Sequence, residues 1–338
     1  MLKSLIRNRL NEFLRRRGSE IVYSHERYEW QRNPVTRPSY NPVELPADAQ
    51  DYLKPTNPLL VDLQRRYSSF NSEVTTPLRW GEGHLRTEDI AWFRGDNAYV
   101  WQLRGSNLNV LGYALALYYA KSIDTLDLLD KLEEDRAFGV FVFQIADKIV
   151  SRDLIDSVIE LYFLEKHLGI ASRQDFTVLD IGAGYGRLAY RAVTALPQLK
   201  HYFCTDAVPY STFISDYYLR YRHVDRKAKV IPIDEIEKHL ESHPIDLAIN
   251  IHSFPECRIS AIDWWISRMQ KFGVKYLFIV PNALDSGGEK LKTNDGHSFA
   301  DIFSNHGYKL IAREPKYRDP IAQQYAICPT WHYLFELA

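Results

Sequence analysis

The sequence predicts an α/β fold in which a mostly helical region, residues 1–170, precedes a doubly wound and mostly parallel sheet, residues 171–338. Three observations carry this. From Phe176 onward, short apolar runs alternate with stretches of helical periodicity, joined by short links. One of those runs enters a glycine-rich turn that opens a helix. Before residue 170 the apolar spacing is that of helices, interrupted by a run of prolines.

Residues 1–17 place Leu2, Leu5, Ile6, Leu10, Phe13 and Leu14 at helical spacing, with six cations against Glu12 on the remaining positions. The pattern predicts an amphipathic helix docked on the protein or on a second subunit; the alternative is peripheral contact with an anionic membrane surface. Prolines 34, 38, 42, 46, 55 and 58 exclude regular helix or a central strand. They predict an extended segment that wraps the surface or reaches a partner, and together with the basic helix they favour a homodimer. Helices are predicted over 59–70, 107–120, 122–135 and 151–169, the last with Ser151 as its cap and Asp153 in its first turn. Strands are predicted over 176–179, 201–205, 228–232, 245–251 and 274–280. The helices between them cover 188–196, the stretch up to about 222, the stretch from Asp234, and 261–272. After a helix at 299–306, residues 308–314 and 322–328 are expected to close the sheet as an antiparallel pair.

Composition narrows the function. The chain has 42 Lys and Arg against 43 Asp and Glu, a balance that gives no general electrostatic grip on nucleic acid, so no nucleic-acid partner is expected. Cys204, Cys257 and Cys328 are widely separated and fit neither a disulfide framework nor a zinc site. No apolar run reaches the length needed to span a bilayer, and a cytoplasmic location is expected.

The sharpest signal is Asp180-Ile181-Gly182-Ala183-Gly184-Tyr185-Gly186, where a strand runs into a glycine turn. Such a turn lets backbone approach a ligand closely. In the dinucleotide version the last glycine would stand where Arg187 is. The acid at the strand end, Asp180, suits a ligand carrying an ammonium and a sulfonium and has little place beside a pyrophosphate. S-adenosylmethionine (SAM) is therefore the expected cofactor. Asp206, ending the next strand, fits both ribose hydroxyls of a nucleoside, with helix capping as the plainer reading. Ala207 follows it. Ile233 and Asp234, after the third strand, sit where an adenine edge is read, although Asp234 serves equally as a helix cap.

With those residues in place, the second half resembles the class I SAM-dependent methyltransferases. The resemblance implies a Rossmann-like, seven-stranded sheet whose last strand is antiparallel. Several stretches are similar, more narrowly, to a bacterial family of sugar O-methyltransferases. These are 93–102, Phe143 with 151–157, 180–187, 250–256 and 315–320, within a similarity covering roughly residues 80–338. The resemblance implies a methyltransferase acting on a sugar hydroxyl in glycan or polysaccharide synthesis.

In this fold the end of the fourth strand is where acceptors meet the sulfonium. Here it carries Asn250, expected to touch the cofactor, then His252 and Glu256. A sugar hydroxyl is a poor nucleophile near neutral pH, so His252 is the expected base and Glu256 its orienting partner, against the plainer reading of His252 as a packing residue. Arg94, Asp96, Tyr99, Arg152, Arg187 and Tyr317 are the candidate acceptor-binding residues. Each of the charged ones serves as readily in a structural ion pair. The carboxylates nearest the acceptor end, Glu256, Asp263 and Asp285, form no tight cluster in sequence, so no metal is expected. The competing readings are a SAM-binding module without catalysis, partnering a glycosyltransferase, and a methyltransferase acting on a non-sugar small molecule.

Overall fold

The computed structural model describes Leu14 and residues 45–78, 87–94, 110–281 and 288–338. Apart from Leu14, the basic segment 1–17 lies outside these residues, as do prolines 34, 38 and 42, Asp96, Tyr99 and Asp285.

Seven strands form one sheet: β3 (Thr177–Ile181), β4 (His201–Thr205), β5 (Ala228–Val230), β6 (Leu247–Ile251), β7 (Tyr276–Val280), β8 (Tyr308–Pro315) and β9 (Trp331–Leu337), in the order β5-β4-β3-β6-β7-β9-β8. The first five in that order are parallel, while β9 runs antiparallel to both β7 and β8. The β-branched and aromatic runs of the inner strands β3 and β7 are buried on both faces, as a parallel sheet covered by helices requires. Connections leave β3 toward β4 on one side and β6 toward β7 on the other. A crevice therefore opens at the carboxyl ends of β3 and β6, where doubly wound sheets place their ligands.

Two expectations fail locally. Beyond Ile123, where the preceding helix ends, the predicted helix 122–135 yields only a turn, Leu128–Lys131. The Asp124 carboxylate accepts the N–H groups of Leu128 and Leu129 at 2.7 and 3.0 Å, and Asp127 adopts a left-handed φ of 55°. Side-chain acceptors of this kind compete with a continuing helix. Residues 322–328 are not a strand either. Asp319 accepts the Ala322 N–H at 2.9 Å and Pro320 takes the first helical position, so Pro320–Tyr325 is helical. The closing strand is the aromatic run from Trp331. Ahead of the sheet, β1 (Phe143–Ile145) and β2 (Lys148–Val150) form an unanticipated antiparallel hairpin.

Among the helices, α1 (Pro58–Ser68) starts at the last proline of the run, with Asn57 accepting the Leu59 N–H at 3.0 Å. Then come α2 (Val110–Ile123), α3 (Arg152–Leu168), α4 (Arg187–Ala195), α5 (Pro209–Tyr221), α6 (Ile236–Ser242), α7 (Ile259–Lys271), α8 (Ala300–Asn305) and α9 (Pro320–Tyr325). Helix α3 opens as expected, with Ser151 Oγ accepting the Leu154 N–H at 3.0 Å, but most polar residues of its first three turns do not face solvent. Asp153, Asp156, Ser157 and Glu160, spaced along one helical face, are all buried. One hydrophobic core runs from Ala49 through α3 to Leu334, continuous across residue 170. No described helix is long and apolar enough to cross a membrane.

Candidate functional site

A cavity of about 280 Å³ opens at the carboxyl ends of β3, β4 and β6. Three sets of residues build it: the glycine turn after β3, the Asp206–Ser211 segment after β4, and the His252–Cys257 segment after β6. Helix α3 walls it with Arg152, Asp153 and Asp156, and Val74 and Pro77 approach from the N-terminal region.

The glycine turn depends on three positive φ values: 76° at Gly182, 58° at Gly184 and 84° at Gly186. The three positions differ in surroundings. A Cβ on Gly182 would stand 2.1 Å from Ser253 Oγ, and one on Gly186 would stand 2.9 Å from Ser215 Oγ. At Gly184 a Cβ would meet nothing within 4 Å, and this glycine lines the cavity. Gly184→Ala should therefore leave an ordered fold, with a left-handed alanine costing about 1–2 kcal/mol, while its methyl group enters the cofactor space. Gly182→Ala should destabilise the protein more, because the turn must part from β6. Chemical denaturation of the two variants checks the ordering, and equal losses of stability would contradict it.

Asp180 and Asp206 are almost completely buried at the cavity edge. Asp180 accepts the Tyr202 hydroxyl at 2.8 Å, yet burial pushes its pKa up to about 7. Asp206 accepts the N–H groups of Gly184 at 3.0 Å and Val208 at 2.8 Å, and burial pushes it up to about 6. Two buried carboxylates poised near neutrality, beside a glycine facing open space, suit a ligand that brings an ammonium and a pair of hydroxyl donors. Ala183 and Ala207 complete the lining on this side. The described residues here fit the cofactor expected from the sequence.

Four other expected cofactor contacts fall outside the lining. Gly186 caps α4 and packs against Ser215 and Leu219. Asn250 is fully buried: its amide donates to the Ile181 carbonyl at 2.8 Å and to Ser253 Oγ at 2.7 Å, and its oxygen accepts the Phe254 N–H. It ties the turn after β6 to β3. Ile233 and Asp234 are covered by α1. The Ile233 N–H donates to the Tyr67 hydroxyl at 3.1 Å, and Asp234 holds Arg66 in a two-point pair at 2.7 and 2.9 Å.

Across the cavity, His252 and Glu256 line the wall as expected. His252 has a left-handed φ of 65°, a strained conformation for a bulky residue, and its N–H donates to the Val280 carbonyl at 2.7 Å. Its basicity departs from the sequence expectation. Burial, and then the charge of Arg152, push the imidazole down to about 3, so it stands neutral throughout the physiological range.

The acceptor candidates divide. Arg152 and Arg187 line the cavity. Arg187 holds Glu160 with both arms at 2.8 and 3.0 Å and donates to Ser157 at 2.8 Å, while Arg152 reaches Asp156 at 3.1 Å. Arg94 and Tyr317 do not reach the cavity. Arg94 is wholly buried, bonded to Glu134 at 2.7 Å and Asp135 at 2.9 Å. Tyr317 is wholly buried and donates to the Ile327 carbonyl at 2.6 Å. Sequence reading gave no role to Asp156 or Glu160, although acids three and four residues apart on one face of α3 were a readable signal. Asp263 sits on α7 beside His306, and no group of three metal-ligating side chains occurs among the described residues.

No family model and no curated protein matches the sequence. Among solved structures, the chain is similar to N,N-8-amino-8-demethyl-D-riboflavin dimethyltransferase from Streptomyces davawensis, with 16% identity, a TM-score of 0.36, and coverage of 55% of this chain and 58% of that one. It is also similar to a mitomycin 7-O-methyltransferase (17% identity, TM-score 0.37, 55% and 57% covered) and to the cyclase SpnF (12%, 0.40, 58% and 86%). Similarities of this size carry no chemistry. The strand order, the antiparallel β9 and the cavity beyond β3 together give the chain the Rossmann-like fold of the class I SAM-dependent methyltransferases.

Proposed function

We propose that the protein is a SAM-dependent methyltransferase that acts on a hydroxyl group of a saccharide. The observation that carries the cofactor half is the pairing of Asp180 and Asp206, buried on neighbouring strand ends around the open face of Gly184. Bound SAM supplies an electrophilic methyl group. The chain's own residues hold the partners in line and dry, which is where much of the acceleration of such a displacement arises. The acceptor half rests on the resemblance to sugar O-methyltransferases and on the polar wall of Arg152, Asp156, His252 and Glu256, which offers a saccharide both donors and acceptors. His252, neutral and held in a strained backbone conformation, accepts a hydroxyl proton at the point where β6 ends.

One observation favours the non-catalytic reading: an imidazole near 3 is a weak base. Transfer of labelled methyl from SAM to a panel of saccharides separates the two. Transfer by the native protein, with a loss of tenfold or more in His252→Ala, is expected. SAM binding with no transfer to any saccharide would leave a binding module or a methyltransferase for a non-sugar acceptor.

A further inference from the structure

At the His252 end of the cavity, two largely buried cations lean on the same carboxylate. Among the described residues, Arg152 and Lys316 have one carboxylate between them: Asp156 takes Arg152 Nε at 3.1 Å and Lys316 Nζ at 2.5 Å. The neighbouring acids are already engaged. Glu160 closes both arms of Arg187, and Asp153 accepts the Tyr185 hydroxyl and stands 3.6 Å from Arg94. Lys316 is turned inward, donating also to the carbonyls of Ile327 and Cys328 at 3.2 Å each. Arg152 is different. Only its Nε is bonded within the described residues, and the side chain lines the cavity, so the outer edge of its planar fork is left for whatever enters.

A largely buried cation that shares its carboxylate is under-compensated, and an oxyanion delivered to a guanidinium fork offsets that cost through two parallel hydrogen bonds. We propose that Arg152 receives an oxyanion carried by the acceptor, a carboxylate or a phosphoryl group, so that the saccharide substrate is an acidic one. This rests on the methyltransferase reading above. It also gives His252 a partner. Burial first, and then the cations of Arg152, Arg187 and Lys316, keep the imidazole unprotonated, opposed by Asp156. An anion on Arg152 offsets the cationic part of this and raises the basicity of His252 where the acceptor hydroxyl loses its proton. A neutral sugar in the same cavity leaves His252 a weak base.

The test uses the full chain saturated with S-adenosylhomocysteine and measures binding of glucuronate, glucose 1-phosphate and methyl glucoside by calorimetry. At least one acidic sugar is expected to bind tenfold or more tightly than methyl glucoside. Arg152→Gln should erase that preference while S-adenosylhomocysteine affinity stays unchanged, which also shows that the variant is folded. Arg152→Lys should keep part of it. Preference for glucuronate assigns the site to a carboxylate, and preference for glucose 1-phosphate assigns it to a phosphoryl group. Equal binding of all three sugars, or none, overturns the proposal. So does an Arg152→Gln variant that loses S-adenosylhomocysteine instead, which would place the methionine carboxylate on the fork. Failure of the native chain to bind S-adenosylhomocysteine would sink the underlying methyltransferase reading and not this inference alone.

Discussion

Replacing Arg94 by alanine is expected to cost about 3–5 kcal/mol of stability, because it strands buried carboxylates, and to leave acceptor affinity untouched in whatever protein remains folded. Arg94 bonds Glu134 and Asp135 and stands 3.6 Å from Asp153, while Arg191 takes the other oxygen of Glu134 at 2.8 Å and Ser151 donates to the same oxygen. Arg222 pairs with the far oxygen of Asp135. This network joins the segment before α3 to α3, α4 and the end of α5, so one missing guanidinium weakens three attachments. In a chain of this length the loss corresponds to roughly 5 °C in melting temperature. Urea unfolding checks it. A variant of native stability with a raised KM for the acceptor would return Arg94 to the role the sequence suggested.

Affinity for S-adenosylhomocysteine should rise steeply with pH between about 5.5 and 8. Asp180 and Asp206, poised at about 7 and about 6, must be ionised to receive an ammonium and hydroxyl donors. With both requirements in force, binding at pH 5.5 should be weaker than at pH 8 by on the order of 30- to 100-fold. The stability of the ligand-free protein runs the opposite way. A carboxyl whose pKa is raised on folding stabilises the fold fully below its unfolded value, near 4, and that contribution is lost as pH rises through 6 to 7. Ligand-induced stabilisation should accordingly grow toward pH 8. A flat pH profile of binding would mean that neither carboxylate meets the ligand.

What the sequence disclosed, and what it concealed, follows from the range of the interactions concerned. The glycine turn, Asp180 and Asp206 are fixed by local backbone geometry, and a strand entering positive-φ glycines reads the same in sequence as in the fold. The positions of β3, β4, β6 and β7 follow from apolar runs buried on both faces. Residues 322–328 misled because their apolar content resembles a strand, whereas Asp319 and Pro320 two or three positions earlier had already committed the chain to a helix. The roles of Arg94, Tyr317, Ile233 and Asp234 were illegible for another reason. Their partners, Glu134, Ile327, Tyr67 and Arg66, come from elsewhere in the chain or from a neighbouring turn, and no spacing rule links them. The depressed basicity of His252 likewise belongs to burial and to Arg152, a hundred positions away.

The central claim, a SAM site built on Asp180, Gly184 and Asp206, is tested most directly by the melting temperature at pH 8 with excess S-adenosylhomocysteine and, in parallel, with NADH. At about 100 times its dissociation constant a ligand stabilises the native state by roughly 2.7 kcal/mol, a rise of about 2 °C or more for a chain of this size. The expected result is that rise with S-adenosylhomocysteine alone. No rise, or a rise with NADH in its place, would contradict the cofactor assignment and everything built upon it.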